Sequence, residues 1–376
     1  YEMQRSLVGS EMCIRDRAME PYLQENYGNA STAYSIGEDA RRELEKSRGV
    51  IAATLHAKTS EIYFTSGGSE SDNWAVKNIA AACKKKGRHI ITTNIEHHAI
   101  LNSCEYLEKL GYDVTYLEVD GDGLISPEQV MDAIRPDTTL ISVMFANNEV
   151  GTIEPIYQIG KIAREKQILF HTDAVQAYAQ IPLSVNYYPV DLLSASAHKF
   201  HGPKGVGFLY IRDGIDIPSF IHGGSQERGK RAGTENVAGI VGMAKAAEIA
   251  YGNMRKRVQK EIMLRNYLIE RVMHEIPDAK LNGHRSIRLP GNVNFSFKGL
   301  EGASLLILLD EDGICASGGS ACNTGEERIS YVIKALGVPE EYAPGTIRIT
   351  LCGDTTRADV DAALVSLKRN IAVLRG

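Results

Sequence analysis

A chain of 376 residues is too long for one small core, so a large domain with a smaller one beside it is expected. Its content of 43% hydrophobic and 24% charged residues is ordinary for a globular protein, and a net charge of -5 argues against nucleic acid or an anionic membrane as partner. No apolar run approaches membrane-spanning length, and the six cysteines form no CxxC pair. That suggests reduced thiols in a cytosolic protein, with no structural zinc and no bound iron–sulfur cluster.

In chain order, Tyr1 to Arg17 starts without Met, mixes charges with scattered apolar residues and lacks the apolar centre of a signal peptide. It is read as carrying no functional information. A polar loop around Gly28 and Asn29 leads into an amphipathic helix over 36–55. Strand-like runs then follow at 61–65, 89–92, 113–117, 140–144 and 168–171, separated by helical patterns at 70–85, 98–110, 127–134 and 155–166. Two more apolar runs, 190–193 and 206–211, bring the strands to seven. This alternation predicts an α/β fold, a mainly parallel seven-stranded sheet with helices on both faces. Beyond Gly223 the pattern changes to a helix-rich stretch over 236–275, strands at 292–297 and 346–351, and helices at 302–310, 328–336 and 357–375. The expected division is an atypical segment 1–17, a large domain 18–254 and a smaller α+β C-terminal domain 255–376.

Ligands of parallel α/β sheets bind past the carboxyl ends of the strands, and five polar clusters fall there. Ser66-Gly67-Gly68-Ser69 follows the first strand and opens a helix, which suits a phosphate; taken alone it is a strand-to-helix turn with a serine cap. Glu96-His97-His98 offers a histidine to stack on a ring, relay protons or cap a helix. Asn147-Asn148-Glu149 either orients a ligand or forms an Asx turn. Asp173, leaving an apolar strand, needs a partner, and a pyridinium nitrogen suits it. Last comes Ser196-Ala197-His198-Lys199-Phe200, between two strands. A lysine at a sheet edge among small and apolar neighbours is partly desolvated, which exposes a nucleophilic amine able to form a Schiff base; the plainer alternative is a solvated loop lysine. Together, phosphate cradle, ring-nitrogen carboxylate and lysine describe a pyridoxal 5'-phosphate site.

From about residue 18 onward the chain resembles the cysteine desulfurases, class V aminotransferase-like members of the fold type I pyridoxal-phosphate enzymes. The resemblance rests on Thr65-Ser66-Gly67-Gly68-Ser69-Glu70-Ser71-Asp72-Asn73, Glu96-His97, Asn147-Asn148-Glu149, Asp173-Ala174-Val175-Gln176, Ser196-Ala197-His198-Lys199, Gly223-Gly224-Ser225-Gln226-Glu227-Arg228-Gly229, Arg231-Ala232-Gly233-Thr234 and Ser320-Ala321-Cys322. It implies that Lys199 holds the cofactor and later moves the substrate α-proton. Asp173 would pair with the ring nitrogen, His97 stack on the ring and Gln176 bond its hydroxyl. Gly68, Ser69, Ser196 and His198 would bind the phosphate, and Thr234 would reach the phosphate of the partner subunit in a homodimer. Asn148 and Arg348 would hold the substrate carboxylate.

Cys322 lies in a run of small residues that should be exposed and mobile, which suits a thiolate that collects sulfur and delivers it. A small buried cysteine is the reading for Cys83, Cys104 and Cys315. In the resembled family the cysteine at the place of Cys322 takes sulfur from L-cysteine as a persulfide, leaves L-alanine, and supplies iron–sulfur cluster or thio-cofactor assembly through an acceptor protein. The alternatives are a selenocysteine lyase, another class V aminotransferase-like enzyme, or an inactive scaffold. Two departures stand out. The family's opening strand and its Asp-Asn-Ala-Ala-Thr-Thr-like segment are replaced by Tyr1 to Arg17, where Ser10 to Arg17 resembles a recurring assembly artefact, so a natural chain longer at that end is expected. After Cys322 the chain reads Asn-Thr-Gly-Glu, where better-known members tend to have Thr-Ser.

Overall fold

The computed structural model describes residues 10–318 and 329–376, with side chains from residue 14. Seven strands form its main sheet: β1 Ile62–Thr65, β2 His89–Thr93, β3 Asp113–Leu117, β4 Thr138–Ser142, β5 Leu169–Asp173, β6 Leu192–Ser196 and β7 Gly207–Ile211. Their order is β1-β7-β6-β5-β4-β2-β3. Only β7 runs against the others, pairing antiparallel with β1 and β6, while the remaining pairs are parallel. Six strands therefore end on the same edge, as the alternating pattern predicts.

Both faces of the sheet are covered, so β2, β4, β6 and β7 are buried along their whole length. Successive residues of β7 show the two-residue period. Phe208 and Tyr210 join one apolar cluster with Ile51, Leu55 and Phe170, and Leu209 and Ile211 join the other with Trp74, Ile79 and Ile90.

A second sheet has three antiparallel strands, β8 Ala279–Leu281, β9 Asn292–Phe297 and β10 Thr346–Thr350, in the order β10-β9-β8. Its apolar cluster gathers Phe295 and Phe297 from β9, Leu264 and Leu268 from the helix Met254–Glu275, and Leu364 and Leu367 from Arg357–Arg375. Three half-buried residues, Ala-Lys-Leu, are too short a run to announce β8 in the sequence.

One feature refines the expectation and another differs from it. The stretch 236–275 is two helices, Val237–Gly252 and Met254–Glu275, interrupted at Asn253, whose ψ of 2° ends the first. Gly252-Asn253 is a pair of poor helix formers. The helix Ser10–Gln24 also runs through the boundary at residue 17, so part of the segment set aside as uninformative belongs to the fold. It lies on Val237–Gly252, where a Cβ on Gly242 would come within 2.4 Å of Met19 Sδ. Arg15 Nη1 donates to the His201 carbonyl at 2.7 Å, close to the strand-end residues.

The edge strand β1 is pinned by a buried ion pair. Arg48, 2% exposed, donates from Nη1 and Nη2 to the two carboxylate oxygens of Glu227 at 2.7 and 2.8 Å. Arg48 also reaches the Ile62 carbonyl at 2.9 Å, and Glu227 accepts the Phe64 N–H at 2.8 Å. Helix, strand and the loop at 227 are thereby tied by one pair. Replacing Arg48 with Met strands a carboxylate in the core and is expected to cost about 3–5 kcal/mol in urea denaturation, most of it recovered in the Arg48→Met/Glu227→Met double variant.

Candidate active site

The turn after β1 is shaped by close approach. Gly67 has a φ of +151°, which L side chains rarely adopt, and a Cβ on Gly68 would lie 2.6 Å from Val175 Cγ2. Thr65 Oγ1 and Ser71 Oγ, 2.8 Å apart, lock the strand end to the helix Gly68–Cys83. That helix has no side chain capping its start. Glu70 of its first turn folds back on the Ser66 N–H at 2.8 Å and is gripped by Arg231 at 2.8 and 3.0 Å. Burial pushes its carboxyl up, but the bonds from Arg231 and Ser66 outweigh this and hold it below the usual range. The leading amides of the helix, at Gly68 and Ser69, thus face the strand ends with the positive end of the dipole behind them, which fits a phosphate.

Ser196, at the end of β6, faces the missing Cβ of Gly67 at 3.6 Å and shares a 2.9 Å hydrogen bond with His198 Nδ1. Burial, Lys199 and Lys204 push the His198 imidazole down. Gly67, Gly68, Ser196 and His198 therefore form one group, with Ser69 on the adjoining turn. Thr234 lies on an exposed loop whose neighbour Arg231 is the residue tied to Glu70.

Asp173 ends β5, buried, and accepts the Val175 N–H at 2.8 Å. Burial raises its carboxyl; His97, the Val175 N–H and Lys199 act in the other direction. His97 caps the helix His98–Lys109 by accepting the Ala99 N–H on Nδ1 at 3.1 Å, so Nε2 carries the proton of the neutral ring. Burial pushes this imidazole down. Among the described residues, Asp72, His97 and Asp173 bring one side-chain N or O atom each within 4.8 Å of one another.

The Asn147 amide forms the Asx turn, accepting the N–H groups of Glu149 and Val150 at 2.8 and 3.0 Å. Asn148 is left to line the cavity: its backbone carbonyl accepts Arg348 Nη1 at 2.6 Å, and its Oδ1 finds no partner among the described residues. Arg348 comes from β10, so this contact joins the two sheets. Lys199, His198, Gln176, Asn148 and Arg348 line one cavity of about 490 Å³. Lys199 itself is exposed, which corrects the expectation of partial desolvation. Ala195 and Ala197 turn inward to the core, and the 3-10 turn Ala197–Phe200 carries the lysine out of it.

Cys322 lies outside the described residues. Of the cysteines read as small and buried, Cys104 is so and its thiol is pushed up to about 12 by burial; Cys83 is half-buried and Cys315 exposed, which corrects that reading for Cys315. Cys352 lines the cavity without any signal in the sequence beyond its place after β10. Beside Asp173, three further carboxyls of the strand-end motifs are buried. Burial raises all of them: Asp72, Glu96 and Glu149, the last accepting Ser330 Oγ at 2.6 Å. An acidic residue on a polar stretch resembles any surface acid until the fold buries it.

The family model for aminotransferase class-V matches residues 16–363. The chain belongs to that family. It is 52% identical over 95% of its length to the cysteine desulfurase IscS of Dictyoglomus turgidum, covering 91% of that protein, and 51% identical over 95% to the IscS of Methanosarcina thermophila, covering 88%. Among solved structures, a NifS-like protein matches with a TM-score of 0.90 at 40% identity over 96% of both chains. A structure of SspA in complex with cysteine matches at 0.79 and 38% identity over 90% of this chain and 95% of that one. Membership makes this class V chain a pyridoxal-phosphate-dependent enzyme of the cysteine desulfurase type. The uncapped helix start, the glycine approach to Val175 and the buried Asp173 fit that cofactor.

Behind Asp173, His171 is fully enclosed between Ser142 Oγ and Ser194 Oγ, each 2.9 Å away. Burial pushes its imidazole down to about 3, against an ordinary value near 6.5. Between these values the unfolded chain binds the proton and the folded chain does not. The contribution is complete above about pH 6.5 and lost as pH falls toward 3. Urea denaturation at pH 7 and pH 5 should show a loss approaching about 1.4 kcal/mol per pH unit from this group, and His171→Asn should flatten that slope.

Proposed function

We propose that this enzyme converts L-cysteine to L-alanine and stores the sulfur as a persulfide on Cys322. The observation that carries the reading is the single cavity shared by Lys199, Gln176, Asn148 and Arg348, drawn from both sheets. Bound pyridoxal phosphate supplies an electron sink that eases bond making and breaking at the α- and β-carbons of an amino acid. The chain's residues supply the rest. Arg348, held by the Asn148 carbonyl, presents its guanidinium to the substrate carboxylate, with the Asn148 side chain beside it. Asp173 would pair with the ring nitrogen, and His97 would stack on the ring. Gln176 would bond the ring hydroxyl. Gly68, Ser69, Ser196 and His198 would hold the phosphate. Lys199 would anchor the cofactor through its Nζ and then use that nitrogen to take the proton from the substrate α-carbon.

Cys322 would attack the substrate sulfur as thiolate; the carbon–sulfur bond breaks, its electron pair stays with the three-carbon product, and the sulfur remains on Cys322. An acceptor protein then collects it for iron–sulfur cluster or thio-cofactor assembly. We further infer a homodimer, with Thr234 reaching the partner's phosphate from its exposed loop, a cytoplasmic setting, and a division of the chain near Met254 into a cofactor domain and a smaller one. Among the described residues no helix is long and apolar enough to cross a membrane.

Two variants test the chemistry. Cys322→Ser is expected to keep the cofactor's absorbance and lose alanine and sulfide formation by about 100-fold or more. Lys199→Ala is expected to lose the lysine-bound absorbance together with turnover. Undiminished turnover of L-cysteine by Cys322→Ser sinks the persulfide reading. Faster turnover of selenocysteine alone, or of an amino acid with a 2-oxo acid, favours the alternatives.

A further inference from the structure

One buried acid at the centre has no part in the chemistry above. Asp72 stands at the second turn of the helix Gly68–Cys83 and is 1% exposed. It points inward at the sheet. Its Oδ1 lies 3.7 Å from His171 Nε2 and has no hydrogen-bond partner among the described residues. Asp72, His97 and Asp173 each place a side-chain N or O atom within 4.8 Å of the others, the two carboxyls buried and His97 half-buried at the edge of the site.

Two carboxylates this close and this dry do not both ionise, because neither water nor a shared cation screens them; one keeps a proton. Their surroundings decide which. Asp173 faces His97 from the loop after β2 and Lys199 from the β6–β7 connection, and it accepts the Val175 N–H. Each of these favours its ionised form. Asp72 faces Asp173 and Glu96, both acids, along with the Ser194 hydroxyl and His171. Among the described residues the Ser194 hydroxyl is the contact that favours its negative charge, and that hydroxyl is shared with His171. His171 brings no charge near neutral pH, because its full enclosure pushes the imidazole down.

We propose that Asp72 is the proton-bearing member of this pair, a positioning residue that makes Asp173 the single ionised carboxylate beneath the cofactor ring. The inference rests on the reading of Asp173 as the partner of the ring nitrogen. With Asp72 neutral, the charge of the pair is concentrated on the oxygens that meet the ring. An ionised Asp72 would repel Asp173 and raise its proton affinity, and the acid facing the ring would then be the one that neutralises.

The holoenzyme tests this in two independent ways. Infrared difference spectra at pH 7 are expected to show a component of the protonated-carboxyl C=O stretch in the wild type that Asp72→Asn lacks, over the unchanged contributions of the other carboxyls raised by burial, Glu96, Glu149 and the buried Glu154. In pH titration of the cofactor absorbance, Asp72→Asn is neutral like the acid it replaces and should hold the midpoint within about 0.3 unit, whereas removing an ionised neighbour would move it by about 1 unit or more. Asp72→Val, which removes both polar atoms, should weaken cofactor binding about tenfold, and Asp72→Asn should restore it. A protonated-carboxyl band identical in wild type and Asp72→Asn overturns the proposal, as does a midpoint moved by about 1 unit in Asp72→Asn. A wild-type protein without pyridoxal absorbance removes the cofactor reading instead, and the infrared comparison still decides the state of Asp72.

Discussion

The site depends on one turn. In the loop past β4 the Asn147 side chain folds back on the N–H groups of Glu149 and Val150, which leaves the carbonyls of the turn pointing outward. The smaller sheet fastens to those carbonyls. Arg348 takes that of Asn148, Asn292 and Asn294 share that of Glu149, and Arg288 takes that of Val150. Ser330 adds a bond to the Glu149 carboxyl. Backbone groups buried between two layers must be satisfied, and here the partners come from a segment about 140 or more residues further on. The contact that joins the sheets is thus the contact that brings Arg348 to the cavity.

Charge at the strand ends follows from the same crowding. A parallel sheet covered on both sides ends in a dry edge, and Asp72, Glu96, Glu149 and Asp173 all sit there with carboxyls raised by burial. Glu70, two residues before Asp72, shows the opposite outcome because Arg231 reaches it. One family of side chains thus does two jobs: those with cations hold the framework, and those without keep polarity poised where a ligand's charge arrives. The glycines beside them serve geometry. Gly68 clears Val175, and Gly207 clears the Gly67 backbone, whose Cα would lie 2.7 Å from an added Cβ.

Much of this is legible from residue order. Seven apolar runs of strand length, separated by helical periods, require a covered, mainly parallel sheet, and polar residues after such runs must gather at one edge because parallel strands end together. Glycine turns, a strand-end aspartate and a lysine between two strands then carry their chemistry with them. Local patterns of period two or 3.6 encode this much, since each is set by the geometry of neighbouring residues.

Long-range packing is a different matter. No local pattern could show that Lys199 is exposed while Asp72 is enclosed, since both follow stretches of small and polar residues. Their burial is decided by what lies across the sheet. The same holds for the pairing of Arg48 with Glu227, 179 positions apart, and of Arg348 with Asn148, 200 apart. The helix Ser10–Gln24 belongs here too, for its packing at Gly242 and the Arg15 bond to the His201 carbonyl give it a place in the fold. Periodicity within the chain determines the elements and their order, because it acts between neighbours; the burial that sets each acid's charge is decided only when distant segments exclude water together.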